Sequence, residues 1–205
     1  MDYDIKGEEM AGSDKKLKFT YNAPVTITFA ILALIALVLG KFTGGKSTEL
    51  LFSVYRSPIS VFSVLRLFLH VLGHSSIAHY TGNMMLFILL GPMIEEKYGS
   101  LNFLEMIAIV AAVSGIINII FFPGTALLGA SGVVFMMMIL VSASDLREGE
   151  IPITMILVMV LYLGNEVINM IFQKDNISQL THIIGGIMGA LFGYLYNVKQ
   201  IHKKK

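Results

Sequence analysis

Two polar residues in the apolar second half of the chain have side chains suited to nucleophilic and acid–base chemistry. Ser131 lies in the sequence GASG at the head of a long apolar run, and His182 lies in the sequence LTHIIGGIMGALFG. A serine hydroxyl alone is a weak nucleophile, but a histidine within hydrogen-bond reach can accept its proton and later return it to a leaving group. The two residues therefore predict a catalytic dyad, if the fold brings them together.

The glycines that follow His182 indicate how the two residues would meet. Gly185 and Gly189 lie three and seven positions after His182, so all three share one face of a helix. Glycine at every fourth position lets a second helix approach until the two backbones touch. The helix that begins at Ser131 is the best candidate for that partner, because Gly132 makes its first turn equally slim.

A third set of polar residues lies in the sequence HVLGHSSIAHYTGN, residues 70–83, which leads into an apolar helix. His79 and Asn83 are four positions apart, so they present two hydrogen-bond donors on one helical face. A serine in the first turn of a helix adds unpaired backbone N–H groups and the positive end of the helix dipole. Such donors are suited to stabilising a developing oxyanion, and each can lower the barrier by roughly 3 kcal/mol.

The composition indicates that membrane helices position these residues. Of the 205 residues, 55% are hydrophobic and 14% are charged, which is far from the balance of a soluble globular domain. Spans of roughly 20 apolar residues can be placed six times along the chain. The predicted spans are residues 23–40, 76–94, 104–122, 131–144, 151–172 and 181–198. The predicted fold class is therefore all-α, a polytopic membrane protein with six transmembrane helices.

This layout predicts one membrane domain, residues 23–198, between a short polar tail, residues 1–22, and a basic tail, residues 199–205. A loop of residues 41–69 follows the first span. Ten of the fifteen lysines and arginines fall on the side that holds both termini, so both termini are expected to be cytoplasmic. The chain has no cysteine, which excludes disulfides and thiolate-bound metal, and its net charge of +1 argues against nucleic acid as a partner.

In combination and in order, these motifs resemble those of the rhomboid family of intramembrane serine proteases. The family's arginine and histidine-rich segment is matched by Arg66, His70, His74, His79 and Asn83. Its acidic motif is matched by Glu95 in EEKYGS, its GxSG motif by Gly129, Ser131 and Gly132, and its last-helix HxxGxxxG by His182, Gly185 and Gly189. The resemblance covers most of the chain from residue 66 to residue 198.

The resemblance implies that Ser131 is the nucleophile and His182 the general base. It also implies that His79, Asn83 and the Ser131 backbone N–H form an oxyanion hole, without any metal or organic cofactor. Phe135 stands where the family usually has a tyrosine that packs against the catalytic histidine. The implied partners are the lipid bilayer and the transmembrane segments of substrate proteins, and the compact form suggests the plasma membrane of a prokaryote.

Four further motif residues are expected to have structural roles. Arg66 and Glu95 are expected to tie loop ends, and His70 and His74 to bond loop carbonyls, since nothing in a dyad requires them. The first loop is expected to differ from the family pattern, because Leu65 stands where a tryptophan commonly precedes the arginine.

Two other functions stay open on the sequence alone. One is an inactive rhomboid-like protein that binds transmembrane clients, although the usual loss of the serine or the histidine is not seen. The other is a metal or haem membrane protein, because HxxxHxxxxH supplies several imidazoles, although no carboxylate or cysteine lies within that segment. A lone serine between small residues more often serves only to pack helices together. The prediction of a dyad therefore depends on the combination of Ser131, His182, the glycines and the oxyanion donors. The sequence does not set the oligomeric state.

Overall fold

The structure, a computed structural model, describes residues 20–142, 153–158, 160–161 and 176–204. Its named elements are the α-helices α1 (Pro24–Phe42), α2 (Lys46–Leu51), α3 (Val61–Leu69), α4 (Ile77–Tyr98), α5 (Ser100–Phe121), α6 (Ser131–Ser142), α7 (Ile153–Val158) and α8 (Asn176–Lys204), with a 3₁₀ turn (His70–Leu72) after α3. Helices α1, α4 and α5 are long and apolar enough to cross a membrane. The protein is therefore mostly helical with several candidate membrane spans, as the composition predicts.

Several predicted boundaries differ from the observed ones. Helix α4 extends four residues beyond its predicted end at residue 94 and stops at Gly99, whose φ of +85° ends the helix. Helix α5 begins at Ser100 instead of residue 104, and α8 covers residues on both sides of its predicted span. The predicted fifth span, residues 151–172, and the N-terminal tail lie largely outside the described residues.

The segment predicted as a loop, residues 41–69, contains the helices α2 and α3. Helix α3 begins at a capping box, in which the Ser60 side chain accepts from the Ser63 backbone N–H and the Ser63 side chain accepts from the Ser60 N–H. A search for apolar runs of about 20 residues passes over such helices, because they are only six and nine residues long.

Glu95 joins three helix ends on one side of the bundle. Its carboxylate accepts hydrogen bonds from the backbone N–H of Val25 at 3.1 Å and of Thr26 at 2.7 Å, in the first turn of α1. The hydroxyls of Thr26 and Ser100 donate to the same carboxylate at 2.6 and 2.7 Å. A carboxylate at this position satisfies unpaired N–H groups and opposes the positive end of the α1 dipole. Glu95 therefore fastens helix ends instead of loop ends.

Helix α6 lies in the centre of the described helices. Its side chains Val133, Met136, Met137 and Leu140 are fully buried, whereas α1, α4 and α5 each expose several large apolar side chains. Aromatic packing holds the surrounding helices together, with the Phe29 and Phe87 rings of α1 and α4 stacked at 4.3 Å between centroids. Ser131 therefore begins a helix that is enclosed by the rest of the fold.

Candidate active site

Helices α6 and α8 pack backbone against backbone near the head of α6. A Cβ atom built on Gly185 would overlap the carbonyl oxygen of Gly132, and one built on Gly189 would overlap that of Met136. The contacts advance along both helices in the same direction, so α6 and α8 are parallel. A Cβ on Gly132 would lie 2.8 Å from Cγ2 of Thr181. Glycine is therefore needed on both helices for this close approach.

His182 lies against the first turns of α6. Its imidazole stacks on the ring of Phe135, with 4.2 Å between centroids and 4° between planes. Phe135 follows Ser131 by one helical turn, and both His182 and Ser131 are half-buried. The glycine contacts and this ring stacking together bring the histidine to the end of α6 where Ser131 lies.

Gly129 places two further side chains beside the same end of α6. Its φ of +123° is a backbone conformation that residues with a Cβ atom rarely adopt. A Cβ atom there would lie 2.8 Å from Nε2 of His79 and 3.8 Å from Nδ2 of Asn83. His79 and Asn83 therefore face the backbone that immediately precedes Ser131.

The first turn of α6 offers a backbone donor at the same place. Its first backbone hydrogen bond runs from the Val134 N–H to the Ala130 carbonyl at 2.9 Å. The N–H of Ser131 therefore has no acceptor within its own helix. Nitrogen donors from α4 and from the α6 backbone thus lie close to the Ser131 position.

His74 contacts Asn83 through a single consistent tautomer. Nδ1 of His74 lies 3.1 Å from the Leu72 carbonyl oxygen, so it carries the proton and donates. Nε2 is then an acceptor, and it lies 3.1 Å from the amide nitrogen of Asn83. This contact fixes the Asn83 side chain and leaves the second N–H of the amide for another acceptor. His74 bonds a carbonyl of the turn before α4, as expected.

His70 bonds a carbonyl, but that carbonyl belongs to a helix and not to a loop. Its Nε2 lies 3.0 Å from the Ala111 oxygen in α5, and its own backbone carbonyl accepts from the Gly129 N–H at 3.0 Å. Arg66 donates to the Tyr55 hydroxyl at 2.8 Å and to the Ser57 hydroxyl at 2.6 Å. Both partners of Arg66 belong to the first loop, residues 41–69. His70 instead connects α5 to the segment before Ser131.

Sequence reasoning missed the residues that fasten the segment between α5 and α6. Val54 and Leu127 form an isolated antiparallel bridge, with backbone hydrogen bonds of 2.8 and 2.9 Å in the two directions. The Asn118 amide donates to the carbonyls of Val54 and Thr125, both at 3.2 Å. Asn118 is a polar residue in an apolar span. Because an unpaired polar side chain in such a span costs free energy, its presence in the sequence was a signal that it bonds to another segment.

Acid is expected to destabilise the fold through His70 and His74, which lie outside the spanning helices. Burial lowers the pKa of each to about 4, although a backbone carbonyl acceptor partly opposes the shift. The unfolded chain, with histidine pKa values near 6.5, therefore binds more protons than the folded chain as the pH falls, and stability decreases. The unfolding temperature in detergent, followed by circular dichroism, should fall by roughly 5–10 °C between pH 7 and pH 5.

The double variant His70→Gln, His74→Gln is the control for this acid effect. Its unfolding temperature should start lower at pH 7 and change less down to pH 5 than that of the parent, because the two buried rings that resist protonation are gone. A parent protein whose unfolding temperature is constant over this range would contradict the buried neutral state of both rings.

The chain is similar to a known protein family and to a bacterial relative. A family model described as the rhomboid domain matches residues 61–199. The chain is also 27% identical over 135 residues to the rhomboid protease GlpG of Haemophilus influenzae, a match that covers 64% of this chain and 69% of that protein. The matched residues of the family model include α3 to α6 and most of α8.

Proposed function

The chain belongs to the rhomboid family, and on this premise we propose that it is an intramembrane serine endopeptidase that cleaves transmembrane segments of other membrane proteins. The observation that carries the proposal is the convergence of His79, Asn83 and His182 on the end of α6 that begins with Ser131. Similarity to a curated rhomboid protease supports the same activity.

In the proposed acylation step, Oγ of Ser131 attacks the carbonyl carbon of the scissile peptide bond. His182 accepts the hydroxyl proton as the Oγ–C bond forms, and the tetrahedral intermediate carries the negative charge on the former carbonyl oxygen. The C–N bond then breaks, and the imidazolium of His182 gives its proton to the departing nitrogen. The products of this step are a free amine and an acyl ester on Ser131.

The negative oxygen of the intermediate is proposed to lie between donors from two elements. The ring N–H of His79 and the amide N–H of Asn83 come from α4, and the Ser131 backbone N–H comes from the first turn of α6. Fixed donors in a site that excludes bulk water stabilise developing charge strongly, because little reorganisation accompanies the reaction. The bond from His74 to Asn83 supports this role, since it holds the amide in one orientation.

Deacylation reverses the proton transfers with water as the nucleophile. His182 accepts a proton from the water as the water oxygen attacks the ester carbon. The ester C–O bond then breaks, and the imidazolium of His182 gives its proton to Oγ of Ser131, which regenerates the hydroxyl. The second product is a carboxylic acid, so each cycle consumes one water and hydrolyses one peptide bond. Polar residues at the α6 end of the bundle support access of water from that side.

The proposed membrane arrangement has six spans, cytoplasmic termini and an active site toward the outer face of the plasma membrane. Since α8 runs parallel to α6, its basic C-terminal end with Lys199, Lys203 and Lys204 lies at the end of the bundle opposite Ser131. Basic residues are retained preferentially on the cytoplasmic side. The active site would therefore face the other side.

Cleavage of model transmembrane peptides in proteoliposomes tests the substrate class. A substrate helix bonds its own backbone amides, so it must unwind before a carbonyl reaches Ser131. A peptide with Gly and Pro near its outer end should therefore be cut at least about 10-fold faster than an otherwise identical all-leucine peptide, because Gly and Pro weaken the helix. Mass spectrometry of the products locates the bond. Equal rates for both peptides, or no Ser131-dependent product from either, would contradict the proposed substrate class.

The alternative functions receive no comparable support. Within the described ranges, no three His, Asp or Glu side chains come together in a group that could hold a metal ion. The rings of His70 and His74 are instead engaged with backbone carbonyls. An inactive client-binding relative would be expected to have lost the serine or the histidine, whereas this chain has both Ser131 and His182.

A further inference from the structure

Two adjacent serines before α4 contact His79 in different ways. The Ser76 hydroxyl accepts a hydrogen bond from the His79 backbone N–H at 3.0 Å and so caps the first turn of α4. The Ser75 hydroxyl lies 3.2 Å from Nδ1 of the His79 ring. One serine therefore supports the helix, whereas the other contacts the imidazole itself.

The orientation of the His79 ring determines which nitrogen can act on a substrate. Nε2 is the ring atom nearest to the position where a Cβ would stand on Gly129, so it faces the segment that leads into Ser131. A neutral imidazole carries one proton, on either Nδ1 or Nε2. If Nε2 is to donate to an oxyanion, Nδ1 must carry the lone pair and accept a hydrogen bond.

We infer that the Ser75 hydroxyl donates to Nδ1 of His79 and holds the ring in the tautomer whose Nε2 carries the proton. Ser75 is then a positioning residue of the oxyanion hole, acting through His79 and not on the substrate. The inference rests on the proposed protease function. Ser75 lies inside the histidine-rich segment, residues 70–83, but it is not one of the residues that match the family's motifs.

The surroundings of His79 favour this arrangement over the two others. The opposite tautomer, with the proton on Nδ1 and Ser75 as acceptor, would direct the Nε2 lone pair toward the negative oxygen and repel it. A doubly protonated ring would place a second positive charge at the end of α6 where the proposed mechanism protonates His182, and the two like charges would oppose each other. The neighbouring ring of His74, 5.0 Å away between centroids, has both nitrogens committed to Leu72 and Asn83.

Kinetics of three variants in proteoliposomes test the inference with a cleavable transmembrane peptide. Ser75→Ala should lower kcat by roughly 3- to 10-fold, the effect of one hydrogen bond, with KM and unfolding temperature unchanged. Ser75→Thr keeps the hydroxyl and should restore kcat to within about twofold of the parent. Ser76→Ala is the matched control, because loss of a cap should lower the unfolding temperature by about 2–4 °C and leave the kcat of the folded protein nearly unchanged.

Nitrogen-15 NMR of histidine-labelled protein reads the tautomer directly and needs no turnover. The His79 signals, assigned by their loss in His79→Gln, should report an unprotonated Nδ1 and a protonated Nε2 in the parent, and a mixture of both tautomers in Ser75→Ala. A protonated Nδ1 in the parent overturns the inference. If the parent cleaves the peptide and Ser75→Ala has the same kcat, that result overturns it as well. If the parent shows no Ser131-dependent cleavage, the proposed function fails and this role of Ser75 fails with it.

Discussion

Replacement of Ser131 by alanine is expected to abolish peptide hydrolysis while the fold stays intact. The change removes the attacking oxygen, and the remaining donors can then act only on a water molecule, so kcat should fall by at least about 10⁴-fold. Ser131 is half-buried at the head of α6, and alanine is a strong helix former. The unfolding temperature should therefore stay within about 2 °C of the parent.

Ser142→Ala is the matched control for this prediction. Ser142 lies at the other end of the described part of α6, and its hydroxyl donates to the Met138 carbonyl of its own helix at 2.8 Å. Both variants lose one serine hydroxyl from the same helix, but only the Ser131 change should reduce cleavage. Measurable turnover by Ser131→Ala, or equal losses in the two variants, would contradict the assignment of the nucleophile.

Gly185→Ala is expected to cost both activity and stability. The added Cβ would overlap the Gly132 carbonyl oxygen, and a backbone atom cannot move aside as the end of a side chain can. Helix α8 must then shift away from α6 and carry His182, three residues earlier, with it. Overpacking of this kind destabilises by about 1–3 kcal/mol, and a displacement of about 1 Å at a reacting group lowers activity by about 10²-fold.

Gly82→Ala is the comparison for the α8 variant. Gly82 is also a helical glycine, in α4, but a Cβ built on it meets no atom within 4 Å. This variant should be as stable as the parent or slightly more stable, because alanine favours a helix. Cleavage rates and unfolding temperatures of Gly185→Ala and Gly82→Ala, each compared with the parent, test whether the close approach of α6 and α8 is required. A Gly185→Ala protein with parental activity would show that α6 and α8 do not need this approach.

The fold was predictable where a long apolar run forms a helix by itself. The spans at 23–40 and 76–94 have counterparts in α1 and α4, since apolar length is a local property of the sequence. The partners of Glu95 were not predictable, because Val25 and Thr26 lie about seventy residues away along the chain. The bridge between Val54 and Leu127 depends in the same way on tertiary arrangement.

The candidate site was predictable to the extent that helical periodicity controls it. The four-residue spacing of His79 and Asn83 predicts that both lie on one face of a helix. The spacing of the glycines after His182 predicts the same for them and the histidine. The contacts of His74 with Asn83 and of Ser75 with His79 depend on the turn before α4, whose geometry no short-range periodicity describes. The positive φ of Gly129 likewise became apparent only with the structure.

Labelling by a fluorophosphonate serine-hydrolase probe tests whether His182 activates the hydroxyl of Ser131. The detergent-purified parent and Ser142→Ala are expected to become labelled, while Ser131→Ala and His182→Ala stay unlabelled and folded. This result would identify Ser131 as an activated nucleophile that depends on His182. A folded parent that stays unlabelled while an active intramembrane serine protease labels in parallel would contradict the claim, as would labelling of His182→Ala at the parental rate.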